Sequence, residues 1–179
     1  MKISNKKGIY VENAHKIKGV YLKNKTYSKA MDSMIIVCSD IMIFNRNEKS
    51  IYLAKRRVEP MKGWWEIGGR RFAGETALEA AVRNFFRETT LKINRSQFKF
   101  ITIIENIWQN RKEKPQKIGK HDLIFIYAVS LNKKEIEIVS KNLDPKEYYP
   151  NSLEKFDRKR LLKEKVHPAI VKIYDKIFN

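Results

Sequence analysis

Lys62-Gly-Trp-Trp-Glu-Ile-Gly-Gly-Arg-Arg-Phe-Ala-Gly-Glu-Thr-Ala-Leu-Glu-Ala-Ala-Val-Arg-Asn-Phe-Phe-Arg-Glu-Thr-Thr-Leu91 reads as a short strand, a glycine turn, a charged loop and an amphipathic helix. Gly68 and Gly69 let the backbone turn with positive φ and allow a ligand close to the main chain. Thr76 and Glu79 have the spacing of a capping box, so a helix opens near Ala77. Along it Leu78, Ala81, Val82, Phe85 and Phe86 recur at the spacing of a buried helix face. Arg83, Asn84, Arg87 and Glu88 are left for the other side. Asn84 and Glu88 stand one turn apart with Arg87 beside them, so this polar face points at whatever the glycine turn holds.

On the N-terminal side, Lys55-Arg56-Arg57 closes a strand that starts at Ile51, after the polar turn Asn45–Ser50. Before that turn, Met34 to Phe44 is a continuous apolar run of strand length. Residues 1–31 form a Lys-rich extension, in which Gly8–Val11 and Gly19–Leu22 suggest a hairpin or an extra edge strand. The domain proper is expected over 32–179. On the C-terminal side, Phe98 to Trp108 reads as a strand, Arg111 to Lys120 as a basic loop, and His121 to Ser130 as a buried strand. Glu135 to Val139 alternates as an edge strand does. Asn142 to Pro150 reads as a loop, and Ser152 as the cap of a short helix over Leu153, Phe156, Leu161 and Leu162. Pro168 opens a last helix with an apolar face.

With 179 residues, 42% of them hydrophobic and 11% aromatic, the chain suits one domain with a real core and excludes a disordered one. No apolar run is long enough to span a bilayer and the N-terminus lacks a secretory signal pattern, so the expectation is a soluble, cytoplasmic protein with no membrane partner. Cys38 is the only cysteine, which rules out an internal disulfide and a Cys-based zinc site and reads as a buried thiol. A formal charge of +18 favours anionic partners, either nucleotides or RNA on a basic surface. Lysine is spread along the whole chain, and a compositional bias at exposed positions accounts for the charge equally well.

The opening stretch resembles the signature box of the Nudix hydrolase family. Gly69, Glu75, Arg83, Phe85, Glu88 and Leu91 stand in register with it. Asn84 and Arg87 replace two acidic positions, and Thr90 replaces a late glycine. The resemblance covers roughly Asp32 to Phe156. It implies an α+β fold, a Nudix-type α/β/α sandwich with a mixed central β-sheet flanked by the box helix and the C-terminal helices. The pattern is similar to the branch that hydrolyses GDP-mannose, which carries Lys-Arg, Gly-aromatic-Trp and Gly-Gly-Arg as Lys55-Arg56, Gly63-Trp64-Trp65 and Gly68-Gly69-Arg70 do here. That branch also keeps only the last acid of the box.

The resemblance implies a hydrolase acting on a nucleoside diphosphate-linked substrate, most like a nucleotide sugar such as GDP-mannose. It implies one Mg2+, or Mn2+, held by Glu88 and the backbone carbonyl of Gly68. The branch's further metal ligand, a Gln in a late loop, has no counterpart. Arg56, Arg70 and Arg83 are expected to stabilise a departing diphosphate, as planar donors do in a water-poor site. Arg83 reads equally as a partner of Glu75, Glu79 or Glu88. Glu147 is the candidate general base or remaining metal ligand, and His121 a candidate substrate-binding residue. The other reading is a catalytically inactive Nudix-like module that binds nucleotide or RNA through its basic surface. Pairing of Arg87 with Glu88 would favour it. A homodimer is what the resemblance suggests.

Overall fold

The computed structural model describes residues 3–6, 9–12, 17 and 19–179. Two short strands, β1 (Ile3–Lys6) and β2 (Ile9–Glu12), pair antiparallel as a separate two-stranded sheet. The expected hairpin piece at 9–11 therefore lies in β2, Gly8 falls outside the described residues, and Gly19–Leu22 forms no strand. Helix α1 (Asn24–Ser33) follows, so the boundary expected between 31 and 32 falls inside a helix.

The apolar run becomes β3 (Ile36–Asn45), central in a mixed sheet of seven strands. Along one edge β3 pairs in parallel with β8 (Lys120–Ser130), whose other edge takes β7 (Lys99–Trp108) antiparallel. The opposite edge of β3 is shared. Its end, Ile43–Asn45, pairs with the start of β4 (Ser50–Arg56), while Cys38–Ile41 pairs with β6 (Ile67–Arg70). The second half of β4 turns to β5 (Gly63–Trp65), and β9 (Tyr148–Phe156) covers its far edge. The sheet thus forks, and Glu66 sits where the chain crosses from β5 to β6.

Helices cover both faces, as the α+β sandwich requires. On one side α2 (Ala77–Thr89) and α3 (Lys133–Lys141) bury Ala81, Phe85 and Val139 against Ile41, Ile43 and Val129. On the other, α1, α4 (Arg158–Lys163) and α5 (Pro168–Phe178) bury Met31, Leu161, Ile170 and Ile173 against Met42, Leu53 and Ile126. Arg111 is not solvated as its basic loop suggested. It is fully buried and donates to Asp32 Oδ1 (2.6 Å) and Ser28 Oγ (2.7 Å), fastening α1 to the domain.

Two segments differ from their expected form. Glu135–Val139 is helical, because Asn132 and Glu135 form a capping box in which each side chain accepts the other's backbone N–H, and Ile136 and Val139 then fall inward. Ser152 caps nothing: its hydroxyl accepts the Lys55 N–H at 3.1 Å within the β4–β9 pair, and Asp157 caps α4 instead.

The capping box of α2 forms as expected, but the buried face is turned from the anticipated stripe. Ala80, Ala81, Asn84, Phe85, Glu88 and Thr89 are buried, and Phe86 is exposed. Asn84 goes inward because its amide finds carbonyls of Ser39 and Gly69 there, and Glu88 pairs with Arg87 of the same turn. The helix ends on Thr90 in the left-handed region at φ 57°, with its N–H bonded to Phe86 O, at the position where the family pattern has glycine. A β-branched residue is strained there. Thr90→Gly is expected to raise unfolding free energy by roughly 0.5–1 kcal/mol, the strain relieved less the larger unfolded-state entropy of glycine. Urea denaturation checks this, and a loss of stability would contradict the strain account.

Candidate active site

The fork opens a cavity of about 350 Å3 between β3, β4, β6, the end of α2 and the start of β8. Strand alternation sends Cys38 and Asp40 of β3, Gly68 and Arg70 of β6, and Asp122 and Ile124 of β8 into it. Arg56 enters from the end of β4, Arg87 and Glu88 from the last turn of α2, and Glu147 from the loop before β9. Gly68 and Gly69 are strand residues without positive φ, so the expected left-handed turn is absent. Their lack of a side chain serves close approach: a Cβ on Gly68 would lie 2.1 Å from Asp40 Oδ1, and one on Gly69 would lie 2.7 Å from Arg87 Nη2.

Asn84 is fully buried and joins three elements. Its amide donates to Gly69 O (2.6 Å) and Ser39 O (3.2 Å), and its Oδ1 accepts from Arg83 (2.7 Å). A carboxylate could not make the two donations. Arg83 reaches Glu75 with two nitrogens, one at 2.8 Å, donates to Arg70 O (3.0 Å), and lies 4.2 Å from the Phe72 ring centroid. It braces the box loop and does not line the cavity. His121 does not line it either. Its neighbours Lys120 and Asp122 do, while its ring stands 2.8 Å from Glu105 on β7.

Arg87 occupies the place expected for a metal. Its Nε donates to Glu88 Oε1 at 2.9 Å, with a second short contact from Nη2, and Nη2 also donates to Gly68 O at 3.3 Å. The guanidinium thus bridges both groups expected to hold Mg2+. Among the described residues no group of three His, Cys, Asp or Glu side chains is placed to hold a metal ion. The donor set as it stands does not fit a divalent cation, since Arg87 has to leave Gly68 and Glu88 before one enters. Burial pushes the Glu88 carboxyl up, which the charge of Arg87 only partly offsets, and Oε2 has no partner among the described residues.

Glu147 reaches the cavity but is tied as a counter-ion, 3.1 Å from Arg56 and 2.9 Å from Lys112. Burial works against its charge, but the hydrogen bonds and charges of Lys112 and Arg56 outweigh this and hold it below the ordinary glutamate value. That makes it a poor general base at neutral pH. A stronger candidate escaped the sequence reading. Asp40 is buried, its Oδ1 has no partner among the described residues, and burial pushes its carboxyl up to about 7 despite Arg56. Its signal was a single acid inside the apolar run 34–44. Glu66, buried with both oxygens unpartnered, and Asp122, held through Oδ2 by Trp108 Nε1 and Lys120 Nζ (both 2.8 Å), were signalled in the same way.

The family model of the NUDIX domain matches residues 36–174. The chain belongs to the Nudix family. No curated protein matches its sequence. Solved structures show the Nudix fold at low identity. A MutT NUDIX hydrolase from Burkholderia pseudomallei is 16% identical with a TM-score of 0.61, over 81% of this chain and 99% of that one. The E. coli dihydroneopterin triphosphate pyrophosphohydrolase is 15% identical with a TM-score of 0.54, over 82% and 98%. The C. elegans Ap4A hydrolase is 11% identical with a TM-score of 0.52, over 80% and 96%. Among the described residues no helix is long and apolar enough to cross a membrane.

The Arg83–Glu75 brace gives a pH-dependent stability. The hydrogen bonds from Arg83 lead in holding the Glu75 carboxyl below its ordinary value of 4.5, so its contribution is present above that value and lost as pH falls through the lowered one. Glu75→Gln is expected to destabilise the protein at pH 7, with the difference from wild type closing below pH 4.5. Thermal melts across pH measure this, and a difference that persists in acid would remove the ion pair as its source.

Proposed function

We propose that this Nudix protein binds a nucleoside diphosphate-linked ligand through guanidinium groups, with Arg87 standing in place of a divalent metal. The observation that carries the reading is the bridge from Arg87 to Glu88 and Gly68 O. Arg56 and Arg70 line the same cavity, and Arg56 keeps a buried Nε without a partner. Planar donors of this kind suit phosphate oxygens, and desolvation strengthens each contact. Two of the structural neighbours are by name hydrolases of Ap4A and of dihydroneopterin triphosphate, which suits a phosphate-bearing ligand. RNA binding and a homodimer draw no support from this cavity.

A second reading is hydrolysis of a nucleotide sugar such as GDP-mannose, with one Mg2+ at Glu88 and Gly68. The unpartnered Glu88 Oε2 and the Asp40 carboxyl near 7 favour it, the latter as a base within reach of neutral pH. It requires Arg87 to swing away, for which a side chain 35% exposed leaves room.

Calorimetry with GDP and GDP-mannose, in EDTA and in Mg2+, separates the two. The first reading expects comparable affinity in both buffers and no product. It also expects Arg87→Ala to weaken GDP binding by roughly 10-fold, the worth of a charge-assisted hydrogen bond. Arg87→Glu, which removes the resident cation and adds a carboxylate, is expected to create Mn2+ binding, read as a thermal shift. Metal-dependent tightening in the wild type together with turnover of GDP-mannose would replace the binding reading with the hydrolase.

A further inference from the structure

The cavity's three guanidiniums are held in different ways. Arg56 is paired with Glu147, and Arg87 with Glu88. Arg70 has no carboxylate and no hydrogen-bond acceptor for its guanidinium among the described residues, although its backbone carbonyl is taken by Arg83. Aromatic rings surround it instead. Its Cζ lies 4.4 Å from the ring centroid of Tyr27, 5.4 Å from Phe72 and 5.9 Å from Tyr21. A ring face attracts a cation without using up its N–H groups, so Arg70 is positioned while its donors stay available.

Two of those rings come from the segment before the box-bearing domain, and that segment is fastened over the cavity at both ends. Gly19 lies so close to Phe72 that an added Cβ would stand 2.2 Å from Phe72 Cβ, and Gly74 passes under Ile17 O in the same manner at 2.5 Å. At the other end Ser28 and Asp32 are held by buried Arg111, and Ser28 Oγ donates to Lys114 O at 2.6 Å. Between these anchors Tyr21 packs edge-on against Phe72 at 4.8 Å, and its hydroxyl accepts from Arg87 at 3.4 Å. Tyr21 therefore touches both Arg70 and Arg87, and both tyrosines line the cavity.

We propose that residues 19–27 complete the ligand site, and that Tyr21 and Tyr27 are positioning residues whose rings hold Arg70 with its N–H groups presented to a phosphate of the nucleotide-linked ligand. This rests on the binding reading above. The segment then acts as a wall of the phosphate subsite, and its loss leaves only Phe72 of the three rings beside Arg70.

The test is calorimetry in EDTA with GDP, inorganic pyrophosphate and guanosine, the last serving as a phosphate-free control. Tyr27→Leu is expected to weaken GDP and pyrophosphate by roughly 5- to 10-fold, the range of a partly desolvated cation–π contact, and to leave guanosine unchanged. Tyr27→Phe keeps the ring and is expected to stay close to wild type. In an Arg70→Ala background, Tyr27→Leu should have no further effect on pyrophosphate, because the ring acts only through Arg70. An undiminished effect in that background, or equal loss of guanosine, overturns the proposal. Melting curves show whether each variant folds. Should Tyr27→Leu not fold, Tyr21→Leu measured against Tyr21→Phe carries the same coupling test, since both lose the hydroxyl that meets Arg87 and differ in the ring, and Tyr21 is 69% exposed so that its removal spares the core. Wild-type protein that binds neither GDP nor pyrophosphate would sink the reading of the cavity and this inference with it. Binding that ignores both tyrosines would sink the inference alone.

Discussion

A strand edge offers its backbone groups to one neighbour at a time, and the edge of β3 that faces β4 and β6 is divided between them. Because β4 holds only Ile43–Asn45, it swings away from Cys38–Ile41, and β5 and β6 fill the gap that this leaves. Everything at the site descends from that division. It places Glu66 in the crotch of the fork, sets Gly68 against Asp40, and brings the last turn of α2 over the carbonyls of β6.

The net charge of +18 describes the surface and misdescribes the cavity. Seven acids, Asp40, Glu59, Glu66, Glu88, Glu113, Asp122 and Glu147, line it beside five cations, Arg56, Arg70, Arg87, Lys112 and Lys120. The deepest acids carry less charge than their number suggests, since burial pushes Glu66 well above its ordinary value and Asp40 to about 7. Protonation of Glu66 and of part of Asp40 brings seven acids against five cations close to an even formal balance in the cavity. Oxygens of Asp40, Glu66 and Asp122 have no hydrogen-bond partner among the described residues.

What the sequence made legible followed from local chemistry. The Thr76–Glu79 box, the Pro168 helix start and the apolar strands β3 and β8 each carry their signal within a few residues, and each stands where expected. The misreadings arose where two periods fit one short segment, as at Glu135–Val139, or where a polar residue found its partner across the sheet, as Ser152 did with Lys55. Glu88 is singled out by the box, and Arg56 and Arg70 by the pattern that flanks it; all three line the cavity. Glu75 is one of the three partners that the sequence allows Arg83, and only the folded loop singles it out, while His121 meets Glu105 only once the β7–β8 register exists. Tyr21 and Tyr27 carried no local signal, and only the fold brings them to the cavity.

The two lost acids of the box are best understood together. In β6 the carbonyls of Gly68 and Gly69 both accept hydrogen bonds from side chains of α2. Asn84 supplies one through its amide and Arg87 the other through its guanidinium, while Glu88 anchors Arg87. The strand end at Gly68 and Gly69 is thus held by side chains of the helix. Restoring an acid at position 84 alone would remove the donor to Gly69 and Ser39 without freeing the place held by Arg87. The departures from the family pattern thus form one arrangement, in which the amide of Asn84 and the guanidinium of Arg87 satisfy the two carbonyls of β6.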